Sequence, residues 1–268
     1  MTKMHIDMDR WRRLSATLLA LAAALACSVK EDRTPCPCYL QVSFTDPAAA
    51  GPVLLLGLGE TPLFREQLRI EDCRPYWSRA VEKGFLTVSA CKGLRTSTAE
   101  GTQVTVPPGA QSDSLFSQTV QVDATGEFAE IPLSLHKQFA TVFLDIRKTA
   151  GELQDYRFSV EGNTCGIDLR DHSPLPGPFR YVPVAREGDT LLHFRLPRQA
   201  DDNLSISIRY GEAAPSVFPL GELIRETGYS WNAEDLEDIY ISIDLTRGKV
   251  LVVTGDWENG LNLPVVDS

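Results

Sequence analysis

Leucine, valine and phenylalanine occupy every second position of Tyr39-Leu40-Gln41-Val42-Ser43-Phe44-Thr45. Successive side chains of a β-strand point to opposite sides, so Leu40, Val42 and Phe44 fall on one face. This period of two is typical of a strand that buries one face and exposes the other. We therefore expect the fold of the mature chain to begin with a half-buried β-strand at residue 39.

Further short strands follow in the first half of the chain. Residues 53–58 form a continuous apolar run, which suits a buried strand. Residues 61–70 could hold a short helix, since Leu63, Phe64 and Leu68 would share a face. Other strands are predicted at 85–90, 102–106, 118–122 and 127–131. Short strands separated by glycine and proline turns, with no strand–helix alternation, favour a β-sandwich.

A second series of strands begins near residue 136. Its strongest member is residues 139–146, and the other strands are predicted at 156–160, 190–196 and 204–210, with a closing hairpin at 238–245 and 249–253. Residues 171–183 contain four prolines and are expected to form a loop, because proline cannot donate to a sheet ladder. Residues 220–224 have helical spacing. The sequence predicts an all-β protein with two tandem sandwiches, residues 39–135 and 136–268, of ordinary domain size.

Residues 1–26 have the three parts of a bacterial secretory signal peptide. The apolar run at 14–26 is shorter than the roughly 20 residues that span a bilayer. Ala26 directly precedes Cys27, and this junction resembles a lipobox, where signal peptidase II cuts and the cysteine receives diacylglycerol. Lipoboxes usually have leucine three residues before the cysteine, where this chain has Ala24. The alternative is an ordinary cleaved signal in which Cys27 is one more thiol.

A charged motif follows the predicted lipidation site. Lys30, Glu31 and Asp32 lie within residues 27–38, which we interpret as an extended, lipidated tether. They resemble the export signal that sends Bacteroidetes lipoproteins to the outer face of the outer membrane. The alternative is a solvated charged tether. The export interpretation predicts a lipid-anchored protein exposed at the cell surface.

Charge and cysteine content exclude several classes of protein. The chain has 268 residues and a net charge of −10, and loss of residues 1–26 leaves −12. Such an acidic protein repels the phosphate backbone, so no nucleic-acid partner is expected. Five cysteines follow the lipidation site, and an odd number leaves at least one unpaired or paired between chains. They are Cys36, Cys38, Cys73, Cys91 and Cys165. No histidine accompanies them at zinc-ligand spacing, so we expect no metal and no cofactor.

The densest group of carboxylates is not predicted to be catalytic. Residues 232–238 contain four acids, but a glycosidase needs two carboxylates that face each other across a cleft. We interpret Asn232 as the N-cap of one helical turn whose first positions are acidic. His136, His172 and His193 lie in different predicted elements, and no nucleophile elbow is present. The sequence therefore does not predict an enzyme.

Two blocks of the sequence resemble a known family. They are Cys27 through Leu40 and Leu220 through Trp257, and the second reads LGELIRETGYSWNAEDLEDIYISIDL before KVLVVTGDW. Together they are similar to the FimB/Mfa2 family of Bacteroidetes fimbrial anchor lipoproteins. The resemblance implies two transthyretin-like Greek-key sandwiches, outer-membrane anchoring and a place at the base of a type V fimbria. Its implied partners are fimbrial stalk or accessory subunits.

Two hypotheses of function follow. The first is a lipoprotein that anchors or terminates a fimbria by β-strand-mediated subunit association, with the partner strand at the 249–253 edge or the 261–268 tail. The second is a surface lipoprotein that binds glycans or a host surface without a fimbrial role. Trp77, Trp231 and Trp257 could form a sugar platform, although aromatic residues of sandwiches more often fill the core.

Overall fold

The computed structural model describes residues 36–46, 50–148 and 151–254. Several predicted features lie outside these residues: the signal peptide, the lipidation site Cys27, the export motif at 30–32, Trp257 and the tail at 261–268.

The first half of the described chain forms two sheets. One sheet has the strand order β4-β1-β9, and the other has the order β10-β8-β5-β2-β3. The three-stranded sheet consists of β1 (Cys38–Phe44), β4 (Trp77–Val81) and β9 (Phe128–Leu133). The five-stranded sheet consists of β2 (Pro52–Leu58), β3 (Pro62–Arg69), β5 (Phe85–Lys92), β8 (Phe116–Asp123) and β10 (His136–Lys137). The parallel pair is β1 with β9.

The predicted alternation in β1 places apolar side chains between these sheets. Leu40 and Val42 are fully buried and contact Val53 and Leu55 of β2 within one hydrophobic core. The expectation that residues 39–45 form a half-buried strand is thus confirmed.

The second half forms another pair of sheets. One has the order β14-β11-β17-β18, with β11 and β17 parallel. Its strands are β11 (Phe139–Arg147), β14 (Leu191–Pro197), β17 (Ile239–Asp244) and β18 (Lys249–Thr254). The other has the order β16-β15-β12-β7-β6, with β13 also paired to β12. Its strands are β6 (Thr98–Glu100), β7 (Gln103–Thr105), β12 (Tyr156–Asp168), β13 (Pro174–Tyr181), β15 (Ser205–Tyr210) and β16 (Ser216–Phe218). Helix α1 (Leu220–Glu226) and the 3-10 turns Ile70–Cys73 and Leu153–Asp155 complete the described elements.

The hairpin of β6 and β7 crosses from the first half of the chain to a sheet of the second half. β7 pairs with the end of β12, where Val104 lies opposite Ile167. The two residues share a hydrophobic cluster with Leu54, Leu56 and Leu58 on the outer face of β2. The two sandwiches therefore share a core, and the described chain from Cys38 onward forms one compact unit. The domain boundary near residue 135 stays a prediction.

Two sequence expectations about single elements are wrong. Residues 61–70 form strand β3 rather than a helix, because they pair along the whole of β2 and Phe64 alone of Leu63, Phe64 and Leu68 is buried. Residues 171–183 contain strand β13 despite their prolines. β13 forms a ladder only with β12 among the described strands, so prolines on its other side remove no sheet hydrogen bond.

All five cysteines that the structure describes are free thiols. Cys38, Cys73 and Cys91 are buried, whereas Cys36 is exposed. Burial raises the pKa of Cys91 to about 12, so its thiol stays protonated and unreactive at neutral pH.

A buried carboxylate holds residues 95–97, the segment that leads into the β6–β7 hairpin. Asp113, 4% exposed, accepts hydrogen bonds from the backbone N–H groups of Arg95, Thr96 and Ser97 at 2.7–2.9 Å. The Thr96 hydroxyl donates a further bond at 2.9 Å. Burial alone would raise the pKa of Asp113, but these donors outweigh it and the net pKa is lowered. The ionised carboxylate is therefore part of the folded structure.

We predict that Asp113→Asn lowers the free energy of unfolding by about 2 kcal/mol near pH 7, because charge-assisted bonds to buried donors weaken. A lowered folded-state pKa stabilises the fold above the ordinary Asp pKa, and this contribution disappears as the pH falls through the folded value. The difference between wild type and variant in urea unfolding should therefore shrink as the pH falls below the ordinary Asp pKa of 3.8. Asp72→Asn, which changes an exposed carboxylate of the Ile70–Cys73 turn, is the matched control and should change little. An equal effect of both variants would contradict the assignment.

Candidate functional site

A polar cleft lies where the chain passes from the first sandwich to the second. Its volume is about 310 Å³. Every lining residue except one alanine has a polar side chain, and both halves of the chain contribute. The lining residues are Ser117, Gln118, Thr119, His136, Gln138, Asp171, His172, Arg198, Asn232, Ala233 and Glu234.

A buried arginine forms one wall of the cleft. Arg198, 6% exposed, donates from Nε and Nη2 to Oε1 of Gln138 at 3.2 and 2.7 Å. Nη2 also donates to the Ala233 carbonyl at 2.9 Å, and Nη1 donates to the Trp231 carbonyl. Burial lowers the pKa of Arg198 from its usual value. The guanidinium thus ties β14, the linker between the sandwiches and the 231–233 loop into one frame.

The acidic loop binds the linker. Asp235 Oδ2 lies 2.9 Å from Nδ1 of His136, and Glu234 Oε1 lies 3.0 Å from Nε2. Asp235 also accepts the Lys137 N–H at 2.6 Å. Burial would raise the pKa of Asp235, but the hydrogen bonds from His136 and Lys137 lower it overall. The interpretation of 232–238 as a capped helical turn is wrong: the segment is an irregular loop whose acids contact the linker.

A second histidine completes the opposite wall. His172 has a φ of 60°, a left-handed conformation that is uncommon for residues other than glycine. Its Nε2 lies 3.0 Å from the Ser117 hydroxyl. Burial is the main cause of its lowered pKa, and the nearby charge of Arg198 adds to the effect. His172 therefore favours the neutral form, which offers one donor and one acceptor.

The cleft can bind a polar ligand rather than an apolar one. Amide, hydroxyl, imidazole and carboxylate groups alternate around it, and together they both donate and accept hydrogen bonds. Among the described residues no group of His, Cys, Asp or Glu is arranged to hold a metal ion.

Trp77 and Trp231 pack against the hydrophobic cores, which is the alternative that the sequence favours over a sugar platform. Trp77 packs against Phe64 of the first sandwich at 5.6 Å between ring centroids. Trp231 packs against Tyr229 at 4.8 Å, beside the loop that lines the cleft. The two indoles belong to different cores, so they do not form one surface.

The outer edges of the sheets are a second candidate site. The outer edge of β9 has features that disfavour pairing with a further strand. The Thr45 N–H donates to the Leu133 carbonyl at 2.9 Å. Peptide groups alternate in direction along a strand, so those of odd-numbered β9 residues face β1. The peptide groups of Glu130 and Pro132 therefore point away from β1, toward the outer edge of β9. A charge and a missing N–H both disfavour pairing with a further strand.

The outer edge of β18, in contrast, lacks the features that disfavour strand pairing at β9. The Leu245 N–H donates to the Arg147 carbonyl at 3.0 Å, so even-numbered peptide groups of β17 face β18. Leu251 lies opposite an even-numbered residue in the β17–β18 register. The peptide groups of Val250 and Val252 therefore face the edge. No described strand pairs there, and β18 contains no proline and no charged residue after Lys249.

No helix among the described residues has the length and hydropathy of a membrane span.

The fold is shared with solved structures of bacterial proteins. A candidate polysaccharide-binding protein from Bacteroides thetaiotaomicron matches with a TM-score of 0.62 and 13% identity, over 82% of this chain and 96% of its own. A candidate adhesin from Bacteroides ovatus matches with a TM-score of 0.60 and 14% identity, over 86% and 96%. The fimbrial anchor protein Mfa2 from Porphyromonas gingivalis matches with a TM-score of 0.59 and 10% identity, over 81% and 96%.

No protein-family model matches the sequence, and no curated protein matches it significantly. At the identities of the solved structures the likeness concerns the fold. This likeness confirms the all-β fold. At the level of the fold it also confirms the predicted resemblance to the FimB/Mfa2 family. The tandem transthyretin-like arrangement stays a prediction.

Proposed function

We propose that this protein is an outer-membrane lipoprotein that terminates a fimbria at the cell surface and holds the neighbouring subunit by β-strand addition. The observation that carries the proposal is the outer edge of β18, where no described strand pairs. An unpaired edge binds an extended segment through ladder hydrogen bonds, and apolar side chains buried alongside slow its release. The fold shared with the Mfa2 fimbrial anchor supports the same conclusion.

The side chains of β18 fit this role. Val250 and Val252 pack against the core of the second sandwich, so Leu251 and Val253 lie on its other face by alternation. An added strand would extend both the ladder and the apolar surface. The chain continues from Thr254 to the tail at 261–268, which is the other contact that the sequence leaves open.

Membrane attachment is proposed from the sequence. Cys27 would carry the lipid, and Lys30, Glu31 and Asp32 would direct the protein to the outer face. Only eleven residues separate Cys27 from Tyr39, near the start of β1, and Arg33 is the only arginine between them. Cleavage at Arg33 would sever the fold from its lipid, so we propose that this bond stays intact.

The polar cleft supports a second candidate function, binding of a surface saccharide. Saccharide hydroxyl groups both donate and accept hydrogen bonds, which matches a lining of amides, hydroxyls, imidazoles and carboxylates. One neighbour in fold is described as a candidate polysaccharide-binding protein, which is consistent with this alternative.

We predict that Val252→Pro sheds fimbriae from the cells into the medium. Proline at this position removes an edge-facing N–H and leaves the β17–β18 ladder intact. The matched control is Val252→Ala, which removes similar packing and keeps the N–H, and its fimbriae should stay attached. Fimbrial subunits in medium and cell fractions give the measurement. Truncation after Trp257 distinguishes the tail from the edge, because shedding by the truncation alone would move the contact to the tail.

We predict that the mature protein begins at Cys27 with a lipid-modified amino terminus, because an apolar run and Ala26 directly precede it. The intact mass of the membrane-extracted protein gives the measurement, and an unmodified start at another residue would rule out lipidation. Glu31→Ala combined with Asp32→Ala should leave the lipid modification of Cys27 in place but protect the protein from protease added to whole cells.

If the saccharide alternative holds, wild-type protein will bind defined saccharides on a glycan array, and Gln118→Ala will weaken that binding at least about tenfold because a lining amide is lost. Gln67→Ala, which changes a glutamine of β3 outside this cleft, is the control. If the wild-type protein binds none of the saccharides, the saccharide-binding hypothesis for the cleft is wrong.

A further inference from the structure

The exposed phenylalanines of the described chain lie at one end of the first sandwich. Phe85 is 79% exposed and Phe128 is 60% exposed. Phe128 packs beside Tyr39 with 5.9 Å between ring centroids, and Tyr39 is itself 45% exposed. Aromatic side chains with such large exposed fractions require an explanation, because burying each one would be energetically favourable. We name Tyr39, Phe85 and Phe128 the aromatic rim.

Strand directions place these three residues at the same end of the first sandwich. Tyr39 and Phe128 are opposite each other at the start of the parallel pair β1 and β9. Phe85 starts β5 and pairs with Asp123 at the end of β8, and residues 124–127 connect β8 directly to β9. Gly84 and Ala124 exchange backbone hydrogen bonds at 2.8 and 3.4 Å, which closes this end of the sandwich. The rim thus surrounds one pole, with side chains on the outer faces of both sheets.

The same pole receives the chain from the proposed lipid. β1 starts at Cys38, beside the rim, whereas the linker to the second sandwich leaves from the opposite end of β9 at Leu133. Eleven residues separate Cys27 from Tyr39, and fully extended they reach at most about 40 Å. A lipid at Cys27 would therefore keep this pole close to the bilayer, and the second sandwich would extend from the other end.

We infer that the aromatic rim lies in the headgroup region of the outer membrane and orients the protein on it. Tyrosine favours this region because its ring leaves water while its hydroxyl stays hydrated, and the two phenylalanine rings add apolar area that leaves water. The inference rests on the proposed lipidation, since three side chains alone give weak attachment. Glu82, Asp123 and Lys83 lie beside the rim, and the exposed acids oppose a strongly anionic surface. Contact with zwitterionic lipid is therefore favoured over contact with anionic lipid.

The test uses the full mature lipoprotein in phosphatidylcholine vesicles that contain brominated phosphatidylcholine, which quenches tryptophan emission on contact. Phe128→Trp places a reporter in the rim. Val217→Trp places one in the second sandwich, at a valine that is 64% exposed. Wild-type emission, from the native tryptophans, is subtracted from both. We expect the added emission of Phe128→Trp to be quenched at least about twofold more than that of Val217→Trp.

Replacing phosphatidylcholine by phosphatidylglycerol without divalent cations should reduce this difference, because the acids beside the rim repel the surface. Equal quenching of both reporters in vesicle-bound protein would overturn the inference, whether the rim then contacts water or a second copy of the chain. Protein that fails to float with the vesicles would instead contradict the proposed lipidation. Thermal melts of both variants confirm that they are folded.

Discussion

Strand β2 is apolar on both faces, and covering its second face determines how the two halves of the chain combine. Leu55 points into the first sandwich, whereas Leu54, Leu56 and Leu58 point out of it. Leaving three leucines in water would cost about 1.5–3 kcal/mol each. That sum is comparable to the whole stability of a typical domain, about 5–15 kcal/mol. The outer face therefore has to be covered by another part of the chain.

The cover comes from both sides of the linker. Val104 of the β6–β7 hairpin, Ile167 at the end of β12 and Leu169 just after it pack on the outer face of β2. The Leu169 carbonyl also accepts a bond from the Ser89 hydroxyl of β5 at 2.8 Å. Apolar burial brings the two sandwiches together here, and Phe116 of β8 also packs edge-on against Phe139 of β11. Polar contacts join the sandwiches around the linker. Arg198 and the acidic loop hold the linker there, and the space that they leave open is the cleft.

The sequence predicts where the strands occur better than it predicts which segments pack against them. Alternation in 39–45 and the apolar run at 53–58 depend on local burial, so they identify β1 and β2. Neither pattern says which segment covers Leu54 and Leu56, because that partner lies about fifty residues or more away in the chain. Residues 61–70 and 171–183 were misassigned for a related reason. Edge strands pair on one side, so their composition is only weakly constrained by the sheet.

The cleft could not be predicted from the chain either. Arg198 follows a proline at the end of β14, and Gln138 and His172 lie in unrelated segments, so no spacing connects them. The carboxylates at 232–238 were visible, but their function depends on His136 and Lys137, about a hundred residues away. The predicted lipidation at Cys27 is the reverse case, since it rests on the sequence alone and the described structure begins nine residues later.

The two sandwiches differ in one respect that matters for assembly. Each has a three-strand core of the same connectivity, β4-β1-β9 and β14-β11-β17, with a parallel final pair. In the second sandwich β18 occupies the position beside β17, whereas no described strand lies beside β9. Glu130 and Pro132 protect that vacant edge, and β18 has no such protection. Growth of a fibre in both directions needs two receptive edges, and the edge of the first sandwich equivalent to that of β18 disfavours pairing. Under the proposed function, this asymmetry makes the protein a terminus, with the aromatic rim facing the membrane and β18 facing the fibre.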